Sequence, residues 1–341
     1  MKNFVWVTLL GAVFLNAGMK VDAAPSYHVT STVPLPGDGG WDTLTCDPVT
    51  RRLYISHSTQ TQVMDIDHLQ LVGAIPNTNG VHGIALAPEL GRGFISDGKD
   101  NQVTLFDLKT LQPAGTVKTG ENPDVVLYDP ATQRVFAFNG RSHSATLFNG
   151  KTGEILNALP LDGKPEFAVA DGHGSVFVNI EDKSQMVKIN SRAMAVEQRW
   201  VLSPCEEPTG LALDPVTKRL FAACGNKMLV VVDAIHGNLI AHLPIGQHAD
   251  GAIFDPQTKL LFVPSGDGTT TVIQEDAPDK YHVVQTIPTQ QGARTIALDQ
   301  ATHRLFLPDA KLGPPPAPTP QQPHPRPSIV PGTFMILVVS P

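Results

Sequence analysis

Seven polar residues recur at equivalent positions of a repeated pattern, and they are the residues best suited to chemistry in this chain. They comprise four carboxylates, an imidazole, a hydroxyl and a guanidinium: Asp42, His82, Asp124, Glu166, Thr209, Asp250 and Arg294. Carboxylate oxygens and imidazole nitrogens bind divalent cations, and the same charges attract cationic molecules. Polar residues in such positions can also be solvated side chains without a special role. Arg294 could pair with Asp42 or Asp250. The pattern predicts a ligand site in which Asp42, Asp124, Glu166 and Asp250 are candidate ligands of a divalent metal.

The repeat that positions these residues begins with an acidic residue, which Pro often follows. A polar turn comes next, and then one basic and two apolar residues. One copy reads Asp129 Pro130 with Arg134 Val135 Phe136. The seven copies begin at Asp47, Ala87, Asp129, Asp171, Asp214, Asp255 and Asp299. A period of roughly 42 residues filled with short strands is typical of a propeller blade.

The second repeat shows four short runs rich in strand-forming residues, at 83–87, 92–96, 102–107 and 113–117. A lone four-stranded sheet cannot bury both faces, so the blades must stack around a central channel. We therefore predict one all-β domain, a seven-bladed β-propeller of four-stranded antiparallel blades. The seven polar residues begin the innermost strands, so they should meet at one mouth of the channel.

The last repeat supplies only three strands, at 295–298, 304–307 and 334–339. Residues 27–34 resemble the outer strand of the sixth repeat, at 281–288. We predict that the N-terminal strand completes blade seven and removes its open edge.

A second set of polar residues falls in the loops between the second and third strands, on the predicted mouth side. His57 and His143 belong to this outer rim, and His248 lies beside the ring. Most residues of these loops are turn formers, which favours a structural role at each position.

Residues 1–23 have the pattern of a secretory signal peptide, with Lys2, an apolar stretch and small residues before a predicted cleavage after Ala23. We expect residues 24–341 to form a single domain, periplasmic or secreted and monomeric. No later apolar segment is long enough to span a membrane. The formal net charge of -7 argues against nucleic acid as a partner.

An oxidising compartment permits disulfides. Cys205 precedes the first strand of repeat five and Cys224 ends its second strand. The hairpin should return the second thiol to the first, which predicts a Cys205–Cys224 bridge. Cys46 aligns with apolar core positions and should be buried.

Residues 311–331 form a Pro-rich insertion within blade seven. Such a segment favours an extended polyproline path over sheet or helix. It could be a tolerated surface insertion, or an arm laid across one face that covers a site or docks a partner.

The apolar pairs Leu53 Tyr54 and Leu220 Phe221, with third strands such as 103–107, resemble the YVTN β-propeller repeat family, in particular its exported YncE-like group. The resemblance covers nearly the whole predicted domain and implies the fold. It implies no catalytic residue, because the family motif is structural. Asp171 Gly172 His173 departs from the usual Pro turn, and the insertion interrupts blade seven.

Two functions remain open. The first is an exported binding or scaffold propeller that recognises a small ligand or a partner protein at the channel face. The second is a metal-dependent hydrolase or lyase, lactonase-like, with His82 or His248 as general acid or base. Three donors converging on one point would favour the enzyme, whereas carboxylates paired by Arg294 would favour binding.

Overall fold

A computed structural model describes Met1, residues 26–317, Pro325 and residues 327–341. The described residues form seven four-stranded antiparallel sheets, which confirms the seven-bladed propeller. Residues 2–23 of the predicted signal peptide lie outside the described part. No helix in the part of the chain that the structure describes is long and apolar enough to cross a membrane.

The strands follow one another in the order that the repeats predict. Strand β1 (His28–Pro34) precedes blade one, which holds β2 (Trp41–Asp47), β3 (Arg52–His57), β4 (Gln60–Asp65) and β5 (Gln70–Pro76). Blade two holds β6 (Val81–Ala87), β7 (Arg92–Asp97), β8 (Gln102–Asp107) and β9 (Pro113–Lys118). Blade three holds β10 (Pro123–Asp129), β11 (Arg134–Asn139), β12 (Ser144–Asn149) and β13 (Ile155–Pro160).

Blade four holds β14 (Pro165–Ala170), β15 (Ser175–Ile180), β16 (Gln185–Asn190) and β17 (Ala195–Val201). Blade five holds β18 (Pro208–Asp214), β19 (Arg219–Cys224), β20 (Met228–Asp233) and β21 (Leu239–Pro244). Blade six holds β22 (Ile253–Asp255), β23 (Leu260–Ser265), β24 (Thr269–Ala277) and β25 (Lys280–Pro288). Blade seven holds β26 (Ala297–Asp299), β27 (Arg304–Asp309) and β28 (Met335–Ser340). Short 3-10 helices, Pro88–Leu90 and Glu181–Lys183, follow β6 and β15.

The acidic residue of the repeat closes the turn between the first and second strands of a blade. The buried Asp255 carboxylate accepts a hydrogen bond from the Gln257 N–H at 3.1 Å and another from the Thr258 hydroxyl at 2.7 Å. The same arrangement recurs at Asp47, Asp129, Asp214 and Asp299. The repeated phrase is therefore a turn signal, since the carboxylate satisfies donors that the tight turn leaves free. These turns lie on the face opposite the channel mouth.

Closure of the ring by the N-terminal strand is confirmed. Strand β1 pairs antiparallel with β28, from His28 opposite Ser340 to Pro34 opposite Met335. Gln285 of blade six donates from Nε2 to the Tyr27 carbonyl at 2.6 Å, and its Oε1 accepts from the Tyr27 N–H at 3.0 Å. The first described segment thus completes blade seven and binds the preceding blade.

The cysteines are arranged largely as the hairpin of blade five predicts. Cys205 and Cys224 form a buried disulfide with a Cα–Cα distance of 5.5 Å. Cys46 is a free thiol on β2 that is half-buried, so the prediction of full burial was wrong. Its packing against apolar neighbours still desolvates it, and burial raises the pKa of the Cys46 thiol to about 12.

We expect deletion of residues 26–35 to destabilise the whole ring. Strand β28 would lose β1, one of its two neighbouring strands, and the buried side chain of Tyr27 would be removed. The loss should be several kcal/mol, on the order of 1 kcal/mol per lost backbone hydrogen bond. Thermal unfolding monitored by circular dichroism measures it. A synthetic peptide of residues 26–35 added to the truncated chain should restore part of the loss, and a Tm equal to that of the parent would contradict the closure.

Candidate functional site

The seven ring residues lie where the innermost strands begin. Asp42, His82, Asp124, Glu166 and Thr209 are second in β2, β6, β10, β14 and β18, whereas Asp250 and Arg294 come just before β22 and β26. In each of the first five blades the strand register shifts immediately after the first residue, between positions such as Pro123 and Val126. A bulge of this kind re-aims a side chain. The interrupted pairing directs one polar residue per blade towards the mouth.

Threonine hydroxyl groups tie three of the mouth segments to the next blade. Thr43 donates to the His82 carbonyl at 2.7 Å, and Thr295 donates to the Asp42 carbonyl at 2.5 Å. The hydroxyl of Thr209 donates to the Ala249 carbonyl at 2.7 Å. The hydroxyl proton of Thr209 is therefore engaged in a structural hydrogen bond. These bonds hold the mouth segments of adjacent blades in fixed positions.

The first three ring residues converge on one another. Nδ1 of His82 lies 2.6 Å from Oδ2 of Asp42 and 3.4 Å from Oδ1 of Asp124. Burial disfavours the imidazolium, but the hydrogen bond to Asp42 and the charge of Asp124 outweigh burial and raise the pKa of His82. Burial, with the nearby charge of Asp42, raises the pKa of Asp124 to about 6.

Glu166 is held by a lysine that the sequence analysis did not identify. Nζ of Lys164 lies 2.7 Å from Oε1 of Glu166 and also contacts Glu181. Burial and the charge of Asp124 raise the pKa of Glu166, while Lys164 opposes that rise. The sequence Lys164 Pro165 Glu166 already indicates this pair. Alternate residues of an extended segment point to the same side, and here they carry opposite charges.

The remaining carboxylate of the ring is paired with the arginine. Nε of Arg294 donates to Oδ2 of Asp250 at 2.7 Å, so Arg294 selects Asp250 rather than Asp42. Burial raises the pKa of Asp250 to about 7, with Arg294 opposing and Asp42 reinforcing the rise. Of the four carboxylates predicted as metal ligands, Glu166 and Asp250 therefore have basic partners, and only Asp42 and Asp124 share a histidine.

A cavity of about 740 Å³ opens beside the ring. It is lined by Gly40, Trp41, Glu181, Glu207, Thr209, Gly225, His248, Ala249, Asp250, Gly266, Gln291, Gly292, Arg294, Leu312, Pro325, Pro327 and Ile329. Three ring residues thus face the cavity, and the other four lie outside its lining.

The described ends of the Pro-rich insertion form one wall of this cavity, which favours the interpretation of an arm across the mouth. Leu312 bridges Ile329, and the Gly313 N–H donates to the Ser328 carbonyl at 2.7 Å. Leu312, Pro325, Pro327 and Ile329 supply apolar surface to the lining. We call residues 311–313 and 327–330 the strap.

The three predicted rim histidines occupy different environments. His248 lines the cavity and is exposed. His143 is exposed in a turn and does not line the cavity. His57 is only 1% exposed and stacks on Phe334 at 3.9 Å between ring centroids. Neither ring nitrogen of His57 has a hydrogen-bond partner within the described residues, and burial lowers the pKa of His57.

Similarity to solved structures supports the fold. The chain is similar to a chain in the hydrazine synthase of Kuenenia stuttgartiensis, with a TM-score of 0.68, 13% identity, and coverage of 87% of this chain and 96% of that chain. It is also similar to a chain in a crystal structure of the mitotic checkpoint complex, with a TM-score of 0.74, 12% identity, and coverage of 90% and 96%. At such identities the likeness shows a β-propeller and nothing finer. No protein-family model matches the sequence, and no curated protein matches it.

Substitution Lys164→Met should leave the Glu166 carboxylate buried beside Asp124 and Asp250 without its closest cation. We expect a loss of about 2 kcal/mol of stability at pH 10, because an uncompensated buried charge is costly. Burial and neighbouring acids raise the folded-state pKa of Glu166 to about 9, so protonation relieves the cost and the loss should shrink as the pH falls from 10 to 7. Urea unfolding at both pH values measures it.

The double variant Lys164→Met with Glu166→Gln is the matched control, since it removes both charges. It should recover most of the stability at pH 10. A Lys164→Met variant whose loss is the same at pH 7 and pH 10 would show that Glu166 does not carry the effect.

Proposed function

We propose that the chain is an exported binding protein that takes a small organic cation into the cavity at the channel face. The observation that carries this proposal is the cavity itself, which is lined both by charged groups of the ring and by apolar residues of the strap. A concave site of this volume with an apolar wall and a few directed polar groups is typical of small-molecule recognition.

The pairing of Glu166 and Asp250 with basic residues supports binding over catalysis at the cavity. Lys164 holds Glu166, and Arg294 holds Asp250. Two of the four acids that the enzyme hypothesis needs for a metal are therefore engaged by cations. No nucleophile with an adjacent base accompanies them among the described residues of the cavity lining.

The charge balance of the mouth favours a positively charged ligand. Six carboxylates lie at the ring and cavity, those of Asp42, Asp124, Glu166, Glu181, Glu207 and Asp250, and four basic residues offset them: His82, Lys164, His248 and Arg294. Glu207 has no basic partner within 4.0 Å among the described residues, so its charge is available to a ligand. The aromatic ring of Trp41 in the lining offers a cation a further favourable surface.

Family and location form part of the same proposal. The repeat phrase resembles that of the YVTN-repeat propellers, and we propose that the chain belongs to their exported YncE-like group. Residues 1–23 would direct export, and residues 24–341 would act as one periplasmic or secreted domain. The Cys205–Cys224 disulfide fits an oxidising compartment.

Three matched probes test whether the site prefers a cation: phenylbutylamine, phenylbutanol and phenylbutyrate. They share an apolar phenylalkyl body, and their polar ends are positive, neutral and negative, respectively. We expect isothermal titration calorimetry to rank their affinities in that order. Glu207→Gln should weaken phenylbutylamine about fivefold, equal to about 1 kcal/mol, and should leave phenylbutanol nearly unchanged.

Glu154→Gln is the matched control, because Glu154 is exposed in a turn of blade three on the opposite face. It removes the same charge and should change no affinity. Equal affinities for the three probes would contradict the preference for a cation, and the absence of binding by all three would contradict the cavity as a site of this class.

A further inference from the structure

The carboxylates of Asp42 and Asp124 and the imidazole of His82 form a cluster that the cavity does not include. One ligand atom from each residue lies within 4.8 Å of the other two. The three residues begin β2, β6 and β10, so they come from three blades and no shared turn brings them together. We propose that this cluster, the trio, binds one first-row divalent transition metal ion such as Zn²⁺.

The net charge of the trio stays negative unless it binds a cation of higher charge than a proton. When His82 is protonated it carries one positive charge against two carboxylates, which leaves a net charge of -1 in a half-buried site. A divalent ion that replaces the imidazolium proton balances both carboxylates and leaves the imidazole neutral.

The donor set selects the type of metal. One imidazole nitrogen with two carboxylate oxygens suits Zn²⁺, Co²⁺ or Mn²⁺, whereas Ca²⁺ and Mg²⁺ prefer oxygen ligands alone. The side chains are 18% to 31% exposed, so water can complete the coordination from the channel side. Three protein ligands plus water is an arrangement that Zn²⁺ commonly adopts.

The surroundings hold the ligands in place. Gly98 lies against the imidazole, and a Cβ atom at that position would stand 2.8 Å from Nε2 of His82. The backbone of Asp42 is fixed by its N–H, which donates to the Ser56 hydroxyl at 2.8 Å. Tetrahedral metal bonds of about 2.1 Å separate ligand atoms by roughly 3.4 Å, so Nδ1 of His82 already stands at that distance from Oδ1 of Asp124, whereas it must part from Oδ2 of Asp42 by about 0.8 Å.

The test is isothermal titration calorimetry of the untagged protein with Zn²⁺ after dialysis against a chelator. We expect one ion per chain, with tighter binding at pH 8 than at pH 6 because protons compete for the ligand atoms. Co²⁺ should give visible absorption bands of a nitrogen and oxygen site. His82→Gln and Asp124→Asn should each weaken Zn²⁺ at least tenfold.

Gly98→Ala keeps all three ligands but displaces the imidazole, and it should also weaken Zn²⁺ about tenfold. Glu154→Gln is the control, since it removes an exposed carboxylate that lies outside both the trio and the cavity, and the Zn²⁺ affinity should stay within about twofold. Circular dichroism checks that each variant folds. The absence of stoichiometric Zn²⁺ binding by the parent, or binding that survives both His82→Gln and Asp124→Asn, would overturn the proposal. The organic probes are read separately, so failure of either proposal leaves the other standing.

Discussion

Every feature of the mouth depends on closure of the ring by the pairing of β1 with β28. A blade has two apolar faces and can bury both only between neighbours. Blade seven acquires its fourth strand from the other end of the chain, so the apolar contacts between all seven blades depend on one set of backbone hydrogen bonds. Closure also brings the beginnings of seven inner strands around one axis, which is why residues roughly 42 positions apart in sequence become neighbours.

The acidic side chains around the axis repel one another, and nearby basic side chains reduce that repulsion. Each buried carboxylate at the mouth lies near at least one other, and like charges at such distances raise one another's pKa values. Arg294 holds one acid, Lys164 holds Glu166 and Glu181, and His82 is placed between two more. The mouth is thus divided into three charge groups, and those around Lys164 and His82 each contain two carboxylates for one basic residue.

Much of the fold could be predicted because its signals are local and repeated. The period, the strand runs and the turn acids are each encoded within a few residues, and the resemblance of 27–34 to 281–288 disclosed the closing strand. The alignment also predicted which residues meet at the mouth. It could not predict that Lys164 joins them, because Lys164 precedes the aligned position. The burial of His57 was likewise hidden, since it results from stacking on Phe334, which is distant in sequence.

The path of the insertion was another feature that composition left open. Proline predicts an extended segment but not its direction, and only contacts such as Leu312 with Ile329 place the strap beside the cavity. Long-range side-chain contacts of this kind depend on the assembled ring, so a single repeat carries no trace of them.

The same closing pair of strands gives the molecule a built-in orientation. Because His28 lies opposite Ser340, both ends of the propeller emerge side by side on the face away from the channel mouth. A linker joined to either end would leave the cavity pointing into free solution. The protein could be immobilised on a sensor chip, or fused to another domain, without hindering access to its binding face.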